Sequence, residues 1–279
     1  PKRLRLSLKM DWLLRPKNHF FLKMTNSMQF IDTHCHIHDD EYNLNPDEVM
    51  ANANKMGVIK MICVGTDENT SEMAVKFVSD KQNLWASVGL HPHDAKLGKD
   101  AFRKIKELSG SDKVIAIGEC GLDYFYNHSS KEDQEMALRF QIELALERNL
   151  PMIFHIRDAF EDFWPIFDSY SDIRGVVHSF TATTKELDQA LSRNLLIGLN
   201  GIMTFTKDSN QLDAARAVPL GSLVLETDAP FLTPVPFRGK INEPKNVVLT
   251  AEFLAELRQE DLGILAEHTT KNAEKLFGI

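Results

Sequence analysis

Eight short apolar runs punctuate this chain of 279 residues, each followed by a segment with helical periodicity. Strict alternation of strand and helix requires a parallel sheet, because strands joined through a helix point the same way. The runs cover residues 30–33, 59–64, 84–90, 113–118, 151–154, 174–177, 195–199 and 223–227. They are apolar on both faces, as strands covered by helices must be. Helices are expected over 46–56, 70–79, 99–108, 131–148, 160–170, 184–193, 209–217, 246–258 and 262–277. Asn45 and Gly57 supply the cap and stop of the first, and Met136, Phe140, Leu144 and Ala145 mark a buried stripe on the longest. Eight such units predict an α/β fold, a TIM-type (β/α)8 barrel, which takes about 250 residues. The long connections follow strands one, three, four, seven and eight, the side on which barrel enzymes keep their chemistry.

Charge separates the first 27 residues from the rest. They hold seven Lys or Arg against one acid, Asp11, so their net charge is +6 and the overall -8 leaves -14 on residues 28–279. Residues 1–27 therefore read as a basic N-terminal extension, flexible or non-native, with Met28 as the natural start of a single-domain barrel over 28–279. The extension has no apolar run long enough to span a membrane. The acidic body disfavours a protein that coats nucleic acid, but allows an enzyme that touches few phosphates. Cys35, Cys63 and Cys120 show no ligand or disulfide spacing and read as reduced thiols in a reducing compartment, so the protein is expected in the cytoplasm; a monomer or weak oligomer is expected.

Six of the runs deliver a residue that can bind a metal or move a proton. The first leads into His34 and His36, the third to His91, the fourth to Glu119, the fifth to His155, the sixth to His178 and the eighth to Asp228. Strand ends of a barrel converge on one face, so these groups are expected to meet. His34 and His36, two apart, point the same way and can share a cation, while Cys35 points under the helices. Asp32 is expected to orient one of those rings. Glu119 closes a run with no reason to end in a buried acid; its two oxygens suit a bridge between a His34/His36 site and a His155/His178 site. Asp228 lies on the strand beside the first, where it can bind the first cation and accept a proton from water. A salt bridge from Glu119 to Arg157 and structurally bonded histidines are the competing readings.

The blocks Asp32-Thr33-His34-Cys35-His36, Gly89-Leu90-His91-Pro92-His93, Ala116-Ile117-Gly118-Glu119-Cys120-Gly121-Leu122-Asp123-Tyr124, His155-Ile156-Arg157, His178-Ser179-Phe180 and Glu226-Thr227-Asp228-Ala229-Pro230 resemble the signature blocks of the TatD metal-dependent hydrolases, a branch of the amidohydrolase barrels. The resemblance spans essentially all of 28–279, in order. It implies divalent-metal phosphodiesterase activity on DNA, often exonucleolytic, with His34, His36, Glu119, His155, His178 and Asp228 as the metal shell. Two divalent ions are expected, with Mg, Mn, Zn, Ni, Co and Fe all compatible with these ligands. The chain departs from the family at Ser179 and Thr181-Ala182-Thr183, where Cys and a Gly-containing turn are usual, and at Ile241, where a further Arg is often found.

Asp228 and Glu119 are the expected catalytic residues. Arg157, His91, His93, Arg238 and Tyr124 are the expected substrate contacts, with Tyr124 and Phe125 able to stack on a base and Phe205 and Phe231 as core or pocket wall. DNA is the expected, transient partner. A metal-dependent ester or amide hydrolase, such as an aminoacyl-tRNA deacylase or a small-molecule hydrolase, needs the same polarised oxygen. A mononuclear deaminase and a non-enzymatic binding platform fit the residues less well.

Overall fold

Eight parallel strands pair in chain order: β1 (Phe30–Cys35), β2 (Val58–Val64), β3 (Leu84–Val88), β4 (Val114–Asp123), β5 (Met152–Arg157), β6 (Gly175–Val177), β7 (Leu196–Leu199) and β8 (Leu223–Leu225). The circle is completed by a bridge between Cys35 and Ala229, where Asp228 N–H donates to His34 O at 2.8 Å and His36 N–H to Ala229 O at 2.7 Å. The result is the TIM-type barrel expected from the alternation. The structure, a computed structural model, describes residues 28–126 and 128–279; the basic segment 1–27 lies outside the described residues.

The helices are α1 (Pro46–Lys55), α2 (Glu68–Val78), α3 (Gly98–Leu108), α4 (Lys131–Arg148), α5 (Phe160–Phe167), α6 (Thr184–Leu191), α7 (Ser209–Ala217), α8 (Val247–Arg258) and α9 (Leu262–Phe277). Local chemistry sets their ends. The Asn45 side chain accepts from Asp47 N and Glu48 N to start α1, and Gly57, at φ +84°, follows its end. Such a cap contributes about 1 kcal/mol. A Cβ on Gly57 would stand 2.6 Å from Met28 O, so no other residue fits there without a shift. Thr183, one of the departures from the family pattern, caps α6 in a capping box with Glu186.

Period-two alternation divides the strand residues between two layers. Ile31, Ile62, Val64, Ala116, Ile153, Val176 and Val224 form one buried cluster, joined by Ala273 and Phe277 of α9. Cys35, Met61, Cys63, Phe154, Val177, Leu199 and Leu225 belong to the larger cluster that the helices cover. Cys35, Cys63 and Cys120 are free and buried. Among the described residues no helix is long and apolar enough to cross a membrane.

Two expectations need correction. The stripe on α4 is carried by Gln134, Ala137, Leu138, Gln141, Ile142, Leu144 and Ala145, whereas Met136 is 44% exposed. Gln141 is buried because it serves the loop before the site, donating to Leu90 O at 3.0 Å and accepting from Leu90 N at 2.7 Å. The fourth strand does not stop at Glu119 but runs on to Asp123, with the pairing to β5 slipping between Ile117 and Cys120. A Cβ on Gly121 would stand 1.9 Å from His155 O, so β4 and β5 approach this closely only with glycine there.

Candidate metal centre

The strand ends bring the six expected ligands together. His34 and His36 leave β1 on one face, and their Nε2 atoms lie 3.1 Å apart. Glu119 Oε2 is 3.3 Å from His34 Nε2, and Asp228 Oδ1 is 3.2 Å from His36 Nε2 and 3.6 Å from His34 Nε2. On its other side Glu119 Oε1 lies 2.8 Å from His155 Nδ1 and 3.9 Å from His178 Nε2. The competing pairing of Glu119 with Arg157 does not occur; imidazoles surround the carboxylate.

Three of these imidazoles are held by their far nitrogen, which decides what the near one can do. His36 Nδ1 donates to Val64 O at 2.8 Å, His155 Nε2 to Asp123 Oδ2 at 2.9 Å, and His178 Nδ1 faces Glu226 Oε1 at 3.0 Å. A neutral imidazole whose proton is committed in this way presents a lone pair at its other nitrogen. A cation that displaces the second proton of these rings would meet lone pairs at His36 Nε2, His155 Nδ1 and His178 Nε2, beside the two oxygens of Glu119 and beside Asp228. Imidazole plus carboxylate is a donor set for a divalent transition metal. Ligand atoms of His34, His36 and Glu119 all lie within 4.8 Å of one another. The residues fit a metal centre.

The acids are poised as anions. Burial works against the charge of Glu119, but His178 and His91 beside it outweigh that and hold its carboxyl well below the usual range. Burial likewise opposes charge on Asp228, yet the bond from His36 and the nearby His178 and His34 keep it lowered. His178 shows the converse: burial disfavours the cation, and Glu226 and Glu119 nevertheless raise it to about 10. Asp228 adopts φ +57° and Ser179, directly after His178, φ +48°. Left-handed backbone outside glycine is uncommon and here re-aims the chain at the ends of β8 and β6.

His91 stands in the same cluster, its ligand atom within 4.8 Å of those of Glu119 and His155. Its Nδ1 accepts from His93 N–H at 3.1 Å, so the neutral ring carries its proton on Nε2, 3.5 Å from Glu119 Oε1. His91 is thus built to donate at the mouth. His93 Nε2 shares Asp123 Oδ2 with His155, at 3.1 Å. Arg157 follows His155 to the surface and lies over Phe125. Arg238 is exposed, stacked on Phe205 at 3.8 Å and bonded to Thr233 O. Tyr124 packs against the main core with Lys131 Nζ 3.6 Å above its ring, and Phe125 and Tyr126 are the exposed aromatics of that turn. Phe231 is not core: it is 60% exposed and meets His36 edge to face, with ring centroids 6.4 Å apart, at the rim of the site.

Asp32 orients no imidazole. Its carboxylate accepts from Thr227 N at 2.9 Å, Thr227 Oγ1 at 2.5 Å and His34 N at 3.3 Å, and so joins β1 to the segment after β8. Asp123 and Glu226 carry no role from the sequence, although a signal existed in both. Each is an acid inside or at the end of an apolar run, the same anomaly that singled out Glu119. Asp123→Asn is expected to lower metal affinity or kcat/KM by about 10–100-fold, the usual effect of removing the carboxylate behind a ligating histidine. Metal titration of the variant checks this; unchanged affinity and turnover would show that Asp123 does not hold His155 in place.

Residues 31–278 match the family model described as TatD related DNase. The uncharacterized metal-dependent hydrolase YabD of Bacillus subtilis is 38% identical over 251 residues, which cover 89% of this chain and 98% of YabD. A protein of Shigella flexneri named 3'-5' ssDNA/RNA exonuclease TatD is 36% identical, over 84% of this chain and 93% of its own. Among solved structures, YjjV, a TatD homolog from Escherichia coli, superposes with a TM-score of 0.84 at 29% identity, covering 90% of this chain and 98% of that one.

Proposed function

Because the chain belongs to the TatD-related DNase family of metal-dependent hydrolases, we propose that it is a divalent-metal-dependent phosphodiesterase that acts as a deoxyribonuclease, exonuclease-like, with two cations in its centre. One observation carries this reading: the two oxygens of Glu119 face two different sets of imidazoles, Oε2 toward His34 and Oε1 toward His155 and His178. A carboxylate so placed suits a bridge. His34, His36 and Asp228 would hold one ion and His155 and His178 the other, with Glu119 shared.

Divalent ions bound there would polarise a phosphoryl oxygen and acidify water at neutral pH. The side chains supply the rest. Asp228, anionic and partly open to solvent at the mouth, is placed to take the proton of the attacking water. His91 Nε2–H offers a donor to an oxygen of the substrate. Asp123, Glu226 and Val64 O fix the rings of His155, His178 and His36, so little reorganisation accompanies binding. Buried free thiols at Cys35, Cys63 and Cys120 fit a reducing compartment such as the cytoplasm.

Cleavage of end-labelled single-stranded DNA is expected to vanish in excess chelator and to return when Mg or Mn is restored. A parallel panel of RNA and aminoacyl-tRNA separates the phosphodiesterase from an ester hydrolase on the same scaffold. Turnover that survives thorough chelation, or deacylation of aminoacyl-tRNA without cleavage of any strand, would sink the proposal.

A further inference from the structure

The turn after β4 carries two aromatic side chains that the core does not use. Phe125 is 53% exposed and Tyr126 42% exposed, and their rings meet edge to face with centroids 4.7 Å apart. The Arg157 guanidinium lies over both, 4.0 Å from the Phe125 centroid and 5.0 Å from that of Tyr126. Among the described residues no carboxylate pairs with Arg157. A guanidinium stacked by its face keeps its in-plane N–H donors free for an anion.

Asp123 ties this patch to the metal centre. Its Oδ1 accepts from Phe125 N and Tyr126 N, each at 3.0 Å, while its Oδ2 takes His155 Nε2 and His93 Nε2. One buried carboxylate therefore sets both the aim of a metal-ligating ring and the position of the aromatic turn. Tyr126 also meets His93 edge to face, with centroids 5.4 Å apart, and stacks on His128 at 5.7 Å, so a base has to take the open face of Phe125 or displace His128. Anything seated on the patch lies beside the reaction, which argues for substrate over a protein partner.

We propose that Phe125, Tyr126 and Arg157 form a nucleobase station, where an unpaired base of the substrate strand stacks on the ring pair and Arg157 takes a phosphate of the same strand. The inference rests on the phosphodiesterase reading and specifies what its substrate must offer. A single strand presents a flat ring and an anion at every nucleotide, which matches an aromatic pair beside one free cation. Net charge strengthens the case: at -8 overall, the chain has no general attraction for a polyanion, so grip has to come from stacking and a local cation. Stacking is tolerant of sequence, because every base has a π face. Paired bases inside a duplex have those faces already covered, so the station selects strand ends and single strands.

The test compares a single-stranded oligodeoxynucleotide with a strand of equal length in which every base is replaced by an abasic tetrahydrofuran residue. Phosphates are the same in both; only the stacking partner differs. The native enzyme, with Mn supplied, is expected to prefer the base-bearing strand by about tenfold or more in kcat/KM. In Phe125→Ala/Tyr126→Ala that ratio is expected to collapse toward one, and in Tyr126→Phe it is expected to persist. A ratio read within one preparation is insensitive to partial misfolding. Should the double variant be inactive on both strands, Tyr126→Ala alone reads the same ratio. Equal cleavage of both strands by the native enzyme, or an undiminished ratio in the alanine variants, overturns the station while leaving the nuclease intact. Failure of the native enzyme to cleave either strand removes the phosphodiesterase reading and the station with it.

Discussion

Asp228→Asn is expected to reduce kcat on single-stranded DNA by about 10²–10⁴-fold, the range for loss of a positioned proton acceptor. The fold should survive. Asp228 is fixed through its backbone, with N–H donating to His34 O at 2.8 Å and its carbonyl accepting from Phe231 N at 2.7 Å, and neither bond involves the side chain. Its φ of +57° is a conformation that asparagine adopts readily. What changes is charge: the oxygen 3.2 Å from His36 Nε2 becomes part of a neutral amide that cannot accept a proton near pH 7. Thermal unfolding of the metal-free variant should match the parent within a few degrees, and turnover should stay low when metal is raised to saturation. Recovery of parental kcat at high metal would show that Asp228 acts only as a ligand. Parental kcat at every metal concentration would exclude it from the mechanism.

The barrel was legible because its signals are local. An apolar run bounded by helical periodicity states its own identity, and the helix over 131–148 coincides with α4 (Lys131–Arg148). The convergence of the candidate ligands was legible for a related reason: the barrel topology converts a residue's place after a strand into a place at one mouth. Contacts between distant segments were not legible. Asp32 is joined to Thr227 across 195 positions, and nothing near Asp32 announces that its partner will be a backbone and a hydroxyl. Strand length was hidden by the glycines of β4, which lower strand propensity where close approach to β5 requires them. Glu226 is the instructive omission. It stands two residues before Asp228 and is 1% exposed, and a buried acid is placed only where something compensates it. His178 does so by charge, its Nδ1 3.0 Å from Glu226 Oε1, while Ser179 N and Asn200 Nδ2 donate to the same oxygen. Ser179, at a position where the chain departs from the family pattern, contributes there through its backbone, and its hydroxyl accepts from Asn200 Nδ2 at 2.9 Å.

Glu119→Gln should be more damaging than Asp228→Asn, because it touches binding, charge balance and turnover together. Glutamine keeps the shape but turns one oxygen into an N–H₂ group, so only one side of the residue can still face a cation as a ligand. If Glu119 bridges, the parent should bind two equivalents of Mn per chain by elemental analysis and the variant one or fewer, with kcat/KM down by at least about 100-fold. The metal-free protein should suffer as well. Glu119 is the anion at the centre of His34, His91, His155 and His178, and removing one partner from a buried charge cluster costs about 3–5 kcal/mol. Asp228, at the edge of the same cluster with 15% of its side chain exposed, should matter less to stability. Differential scanning calorimetry in chelator therefore orders the variants: Glu119→Gln well below the parent, Asp228→Asn close to it. Full metal content in Glu119→Gln would exclude the bridge, and equal melting of the two variants would show that the imidazoles do not depend on Glu119 for their charge balance.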